Sequence, residues 1–122
     1  HVSESYEAYL ALYDKAADIA RLVPDFAKLN ALDRTVIVTA RGDDGIDFVS
    51  RYFAPTAGIP EDPVTGSTHC VLATFWSRIL SKNDFHARQV SKRGGDLWLQ
   101  LEGDRVKIAG HSIAVMQGVL SV

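Results

Sequence analysis

Between Ser5 and Arg21 the residues Tyr6, Tyr9, Leu10, Tyr13, Ala16, Ala17 and Ala20 recur three and four positions apart, and Glu7, Asp14, Lys15 and Asp18 fill most of the gaps. That period predicts an amphipathic helix, capped by Ser3 or Ser5 and stopped before Pro24. Pro24 then opens a second short helix through Phe26 and Leu29. From Thr35 the texture changes to the β-branched run Val36, Ile37 and Val38, bounded by Gly42-Asp43-Asp44-Gly45, after which Ile46, Phe48 and Tyr52 resume an extended pattern. Two strands and a turn are expected there. Pro55 to Gly66, with Gly58, Pro60 and Pro63, reads as a loop. Ser67 to Leu80 follows with Val71, Leu72, Phe75, Trp76, Ile79 and Leu80 in a wide stripe, and with Cys70, Ala73, Thr74 and Ser77 on the other sides. A helix so small or apolar all round is expected to be enclosed by its own protein. Leu97, Leu99 and Leu101, then Val106 and Ile108, then Ile113 and Val115 alternate with period two, and Gly94-Gly95 and Glu102-Gly103-Asp104 break them into antiparallel hairpins. The expected fold is α+β: a curved mixed or antiparallel sheet wrapped around one central buried helix, with an additional N-terminal amphipathic helix, all in a single domain over residues 1–122.

Composition narrows the function classes. Thirteen Lys and Arg stand against fifteen Asp and Glu, with neither sign gathered into a stripe, so a nucleic-acid partner is not expected. No apolar run approaches the roughly 18 residues that cross a bilayer, so a membrane span is not expected either. No secretory leader is readable, and Cys70 has no second cysteine to pair with; a cytoplasmic location is the expectation. The chain opens on His1 and not on methionine, which reads as a piece of something longer.

The segment that carries chemistry is Glu61-Asp62-Pro63-Val64-Thr65-Gly66-Ser67, a rigid acidic loop with a glycine just before the apolar helix. A helix start presents unpaired N–H groups and the positive end of a dipole, so it holds a carboxylate or phosphate without a cationic side chain. In that reading Gly66 lets a ligand approach the backbone, and Thr65 and Ser67 add hydroxyl donors. The same residues serve equally as an N-cap, a turn and a solvated carboxylate, and spacing alone does not choose. Asp62, Ser67 and His69 include the residue types of a hydrolase triad, but they crowd one turn, and Gly66-Ser67-Thr68-His69 lacks the Gly-x-Ser-x-Gly elbow. His69, Cys70, His86 and His111 show no metal-ligand spacing. His69, two residues into the helix, either points back to the anion site or, the reading preferred here, bonds to loop backbone; Cys70 reads as a small buried hydrophobe, Phe75 and Trp76 as packing residues, and Arg88, Lys92 and Arg93 as a solvated strand face.

Taken together, Arg51-Tyr52-Phe53-Ala54-Pro55, then Gly58-Ile59-Pro60-Glu61-Asp62-Pro63-Val64-Thr65-Gly66-Ser67, then the helix, then Arg93-Gly94-Gly95 before a strand, resemble the C-terminal half of the PhzF-like (phenazine biosynthesis-like) isomerases, from about Pro24 onward. The resemblance implies a diaminopimelate-epimerase-like fold of two similar halves, an active site in the cleft between them, and no metal or organic cofactor. It implies proton-shift isomerisation of a small carboxylate-bearing metabolite by general acid/base catalysis, with the proton-moving glutamate on the other half. By position it gives Asp62 and Ser67 catalytic roles, Asp62 orienting or polarising the substrate, and makes Thr65, Gly66 and Ser67 the carboxylate-binding turn. Thr68 departs from the small alanine or glycine usual in the family, and Cys70 does not fall where the two-cysteine racemases of this architecture carry theirs. The chain is then expected to act with a missing N-terminal half or as a homo-oligomer, and to be inert, or nearly so, alone. The alternative expectation is a non-catalytic anion-binding or interaction module of the same fold.

Overall fold

The computed structural model of the chain describes residues 2–4 and 8–121. In order, its elements are β1 (Val2–Glu4), β2 (Ala8–Leu12), α1 (Ala16–Arg21), α2 (Phe26–Asn30), β3 (Thr35–Arg41), β4 (Phe48–Ala54), a 3-10 turn (Pro55–Ala57), β5 (Ile59–Asp62), α3 (Gly66–Leu80), β6 (Asp84–Gln89), β7 (Gly95–Glu102) and β8 (Arg105–Ala109). The strands form one mixed sheet in the order β1-β2-β3-β4-β6-β7-β8, and β5 pairs with β4 off that path. β2 runs parallel to β3, and β4 parallel to β6. A parallel pair needs a crossover, and helices supply both: α1 and α2 between β2 and β3, α3 between β4 and β6.

The two crossovers cover opposite faces. α3 buries Leu72, Ala73 and Trp76 against Ile37, Phe48, Phe85 and Leu99. Ile19 of α1, with no exposed surface, packs with Val36, Val38, Val49 and Phe53 on the other side. β3 and β4 are therefore covered on both faces, which is why Val36-Ile37-Val38 is an unbroken apolar run and not an alternation. β7 keeps one face wet: Leu97 and Leu99 are buried while Trp98 between them is 39% exposed. Trp76 is fixed twice, by stacking on Phe48 at 5.7 Å between ring centroids and by its indole N–H donating to the Thr39 hydroxyl at 3.0 Å.

A mixed α+β architecture is what the sequence pattern predicts, and α2, β3, β4, α3, β7 and β8 lie where expected. Four details differ. Residues 8–12 are a strand and not part of the N-terminal helix, which begins only at Ala16. Over so short a window both periods fit, and docking beside β3, with Leu10 opposite Ile37, selects the extended form. Ser5 and Tyr6 lie outside the described residues, and Ser3 falls in β1. Second, α3 is not enclosed: one side lies on the sheet, while Ser67, Cys70, Thr74 and Arg78 are exposed, so Cys70 is not a buried hydrophobe. Cysteine, serine and threonine are too small and neutral to mark which side faces water. Third, the proline-rich loop contains β5, because an edge strand tolerates Pro60. Fourth, the strand expected around Ile113 and Val115 is absent. Both are exposed, at 87% and 93%, and regular structure among the described residues ends at Ala109.

Candidate functional site

Asp62 arrives at the start of α3 because β5 is held against β4. Arg51 of β4 forms a two-point pair with Glu61, Nε to Oε1 at 2.7 Å and Nη2 to Oε2 at 2.9 Å. Its remaining nitrogen donates to the carbonyls of Ile19 and Leu22 at the end of α1, at 3.1 and 2.7 Å. One largely buried guanidinium thus joins β4, β5 and α1, and the fork geometry of arginine suits that task.

The turn from Asp62 to Thr65 closes on itself and on β6. The Thr65 hydroxyl donates to Asp62 Oδ2 at 2.5 Å. Gln89, at the end of β6 and without exposed surface, reaches back across the sheet. Its Oε1 accepts from Thr65 N–H at 2.8 Å, and its Nε2 donates to the Asp62 carbonyl at 2.6 Å and to the Thr65 hydroxyl at 3.2 Å. Beyond β6, the Ser91 hydroxyl donates to the Pro63 carbonyl at 2.8 Å. A Cβ on Gly95 would come within 2.5 Å of Val64 Cγ2, so the glycine lets the start of β7 lie against this loop. The Gly94-Gly95 segment and the Asp-Pro-Val-Thr-Gly-Ser segment are therefore one packed unit.

His69, one turn into α3, bonds through Nδ1 to the Thr65 carbonyl at 2.7 Å. A carbonyl only accepts, so Nδ1 carries the proton and Nε2 is left bare, enclosed and without a partner. Burial pushes the His69 pKa below its ordinary value, and the ring is stacked at 6.1 Å on Phe48. The histidine bonded to loop backbone is what the sequence leads one to expect. A triad is not assembled: Asp62 is engaged with Thr65, and His69 is turned to Thr65 and Phe48.

Thr65 occupies the N-cap position of α3 but gives the helix no side-chain cap, its hydroxyl being committed to Asp62. Gly66 and Ser67 are exposed, and a Cβ at Gly66 would meet nothing within 4 Å. The fifteen-residue helix therefore directs the positive end of its dipole, roughly half an elementary charge, at open space beside Asp62. The structure brings Asp62, Thr65, Gly66 and Ser67 into one turn. The sequence reading missed Gln89, although its place two residues after Ala87 and four after Phe85, both buried, marks it as facing inward.

The other polar cluster lies on the outer face of the sheet. His86 and Arg88 both bond Asp96, and His86 stacks on Trp98 at 4.8 Å. Partial burial opposes the charge on Asp96, but Arg88 and His86 outweigh it and hold the carboxyl below its usual range. Among the described residues no three or more His, Cys, Asp or Glu side chains lie together as a metal site, and no helix is long and apolar enough to cross a membrane.

Similarity to known proteins covers nearly the whole chain. A family profile described as phenazine biosynthesis-like protein matches residues 3–118. An uncharacterized isomerase of Pseudomonas aeruginosa is 50% identical over 115 residues, which make up 93% of this chain and 44% of that protein. An uncharacterized isomerase of Halalkalibacterium halodurans is 43% identical over 114 residues, 92% of this chain and 43% of that one. The crystal structure of a PhzF-family phenazine biosynthesis protein from Enterococcus faecalis superposes with a TM-score of 0.85 at 40% identity, over 89% of this chain and 42% of its own. The chain spans less than half the length of these relatives.

Proposed function

This chain belongs to the phenazine biosynthesis-like protein family, and from that membership we propose that it forms one wall of a cofactor-independent isomerase site. The substrate is a small carboxylate-bearing metabolite. A proton leaves one carbon, a double bond shifts and a proton returns at another carbon, with no change of oxidation state. The N–H groups of Gly66 and Ser67, with the Ser67 hydroxyl, hold the carboxylate at the positive end of α3. Thr65 closes the turn behind it. Asp62, one oxygen fixed by Thr65, offers the other to orient or polarise the substrate. The acid/base glutamate comes from the opposite wall, on a first half of the protein or on a second copy.

The observation that carries this reading is the bond between Asp62 and Thr65 beside two exposed residues at the start of a fifteen-residue helix. The relatives named isomerases support the reaction class. To test it, the chain is fused behind the first half of the Pseudomonas aeruginosa relative, and small unsaturated carboxylic acids are followed by NMR in D2O. Deuterium entering at carbon, and lost in Asp62→Asn and Ser67→Ala, is expected. Carboxylate binding with no deuterium incorporation for any acid would refute the isomerase and leave an anion-binding module.

A further inference from the structure

The layer between α3 and the sheet holds two buried polar atoms with no hydrogen-bond partner among the described residues, Ser50 Oγ and His69 Nε2. Neither residue has exposed surface, so outside solvent serves neither. Strand alternation turns Ser50 toward α3: Phe48 and Tyr52, two positions either side of it, pack with that helix, while Val49 and Phe53 pack with Ile19 of α1. The helix runs against the direction of β4. Phe48 stacks with Trp76 at 5.7 Å and with His69 at 6.1 Å, and Tyr52 lies beside Ser67, Thr68 and Val71. Ser50, between Phe48 and Tyr52, therefore lies beneath the part of α3 from which His69 projects. Its neighbours across the sheet, Thr39 on β3 and Gln89 on β6, are fully buried and committed elsewhere. The Thr39 hydroxyl donates to the Val49 carbonyl and accepts from Trp76, and the Gln89 amide is spent on Thr65 and Asp62. Two enclosed groups so close together and both unpaired call for a common partner.

We propose that Ser50 and His69 form an internal binding site for one water molecule, which donates to His69 Nε2 and bonds the Ser50 hydroxyl, and that His69 held in this way is a positioning residue for the Thr65 carbonyl. The chemistry of the two atoms selects the ligand. With its proton on Nδ1, His69 offers only an acceptor at Nε2, whereas a serine hydroxyl both donates and accepts. Two such groups that do not bond each other are served by a molecule that donates to one and bonds the other, and water does both. The side chains framing the pair, Phe48, Tyr52, Thr39 and Gln89, are neutral, so an ion would be buried there without compensation. A buried water needs roughly 10–15 Å³ and about two to four polar partners, and these two atoms supply the lower number. A donor placed at Nε2 opposes a proton on that nitrogen, and so keeps the Nδ1 proton on the Thr65 carbonyl. The site is independent of whether the acidic turn binds a carboxylate.

The test reads the imidazole nitrogens of His69 by NMR in the chain labelled with nitrogen-15 histidine, together with a crystal structure. Expected are a protonated Nδ1, and an unprotonated Nε2 whose resonance is displaced upfield from that of an unbonded imidazole acceptor. One ordered solvent peak is expected within hydrogen-bond distance of both Ser50 Oγ and His69 Nε2. Ser50→Val, which fills the space and removes the hydroxyl, should abolish the peak and return Nε2 to the unbonded position. Ser50→Thr, the same shape as valine with the hydroxyl kept, should retain the displacement, which a purely steric role for residue 50 does not explain. If Ser50→Val does not fold, Ser50→Cys, close to serine in shape but a weak hydrogen-bonding group, should reduce the displacement. A proton on Nε2, the Ser50 hydroxyl seated directly on Nε2 with no solvent between them, or an Nε2 resonance that these substitutions leave unmoved overturns the inference.

Discussion

Replacing Gln89 by leucine isolates the link between the sheet and the turn that carries Asp62. Leucine nearly matches glutamine in volume, so the substitution leaves little cavity, but it removes an acceptor 2.8 Å from Thr65 N–H and a donor 2.6 Å from the Asp62 carbonyl. Thr65 is 8% exposed, and solvent has little access to make good the loss. An enclosed polar group left without a partner costs about 1–3 kcal/mol, so the two together cost about 2–6 kcal/mol. Set against a total stability of about 5–15 kcal/mol for a domain, that is a large share. Gln89→Glu retains the acceptor but sets a carboxylate oxygen against the Asp62 carbonyl. Its loss should shrink as pH falls through the carboxyl range, where a protonated glutamate donates again. Urea unfolding followed by tryptophan fluorescence measures both variants. A loss under about 0.5 kcal/mol for Gln89→Leu, with an unchanged dependence on urea, would mean that the turn holds itself and that the reasoning is wrong.

Two further outcomes follow from the same geometry. Because burial lowers the His69 pKa, the unfolded chain binds more protons than the folded one. The stability owed to neutral His69 is complete above its unfolded value of about 6.5 and declines as pH drops below it, by up to about 1.4 kcal/mol per pH unit. Urea midpoints between pH 7.5 and 5 should show that slope, and His69→Asn, which keeps a donor for Thr65, should flatten it; equal slopes in both proteins count against the assignment. Arg51→Met leaves Glu61, largely buried, without its partner and two carbonyls of α1 without a donor, and should cost roughly 3 kcal/mol or more. Arg51→Lys should recover only part, since an ammonium does not span both Glu61 oxygens and the α1 carbonyls; full recovery in thermal melts would show that charge alone suffices.

The sequence discloses those parts of the fold whose period is decided locally. Val36-Ile37-Val38, Leu97 with Leu99, and Leu72 with Trp76 each bury the residues their pattern nominates. It does not disclose pairings decided at a distance. Tyr9-Leu10-Ala11-Leu12 fits a helix as well as a strand until β3 lies beside it, and Ile113 and Val115 alternate like a strand but are exposed and pair with none of the described strands. The candidate site divides the same way. Asp62, Gly66 and Ser67 are conspicuous because proline and glycine punctuate the segment around them. Gln89 looks like an ordinary polar residue of a half-exposed strand, and only its phase with Phe85 and Ala87 reveals that it points inward.

Gln89 lies 24 positions beyond Thr65 and 27 beyond Asp62. During synthesis every residue of the acidic turn is therefore made well before its latch exists, and the turn acquires its shape only when β6 docks alongside β4. A chain truncated after Leu80 would display the whole recognition segment to an antibody raised against it, and would still lack the geometry. Gln89 has no exposed surface and sits on a strand paired on both sides, so once formed the turn keeps its shape for as long as β4, β6 and β7 stay together.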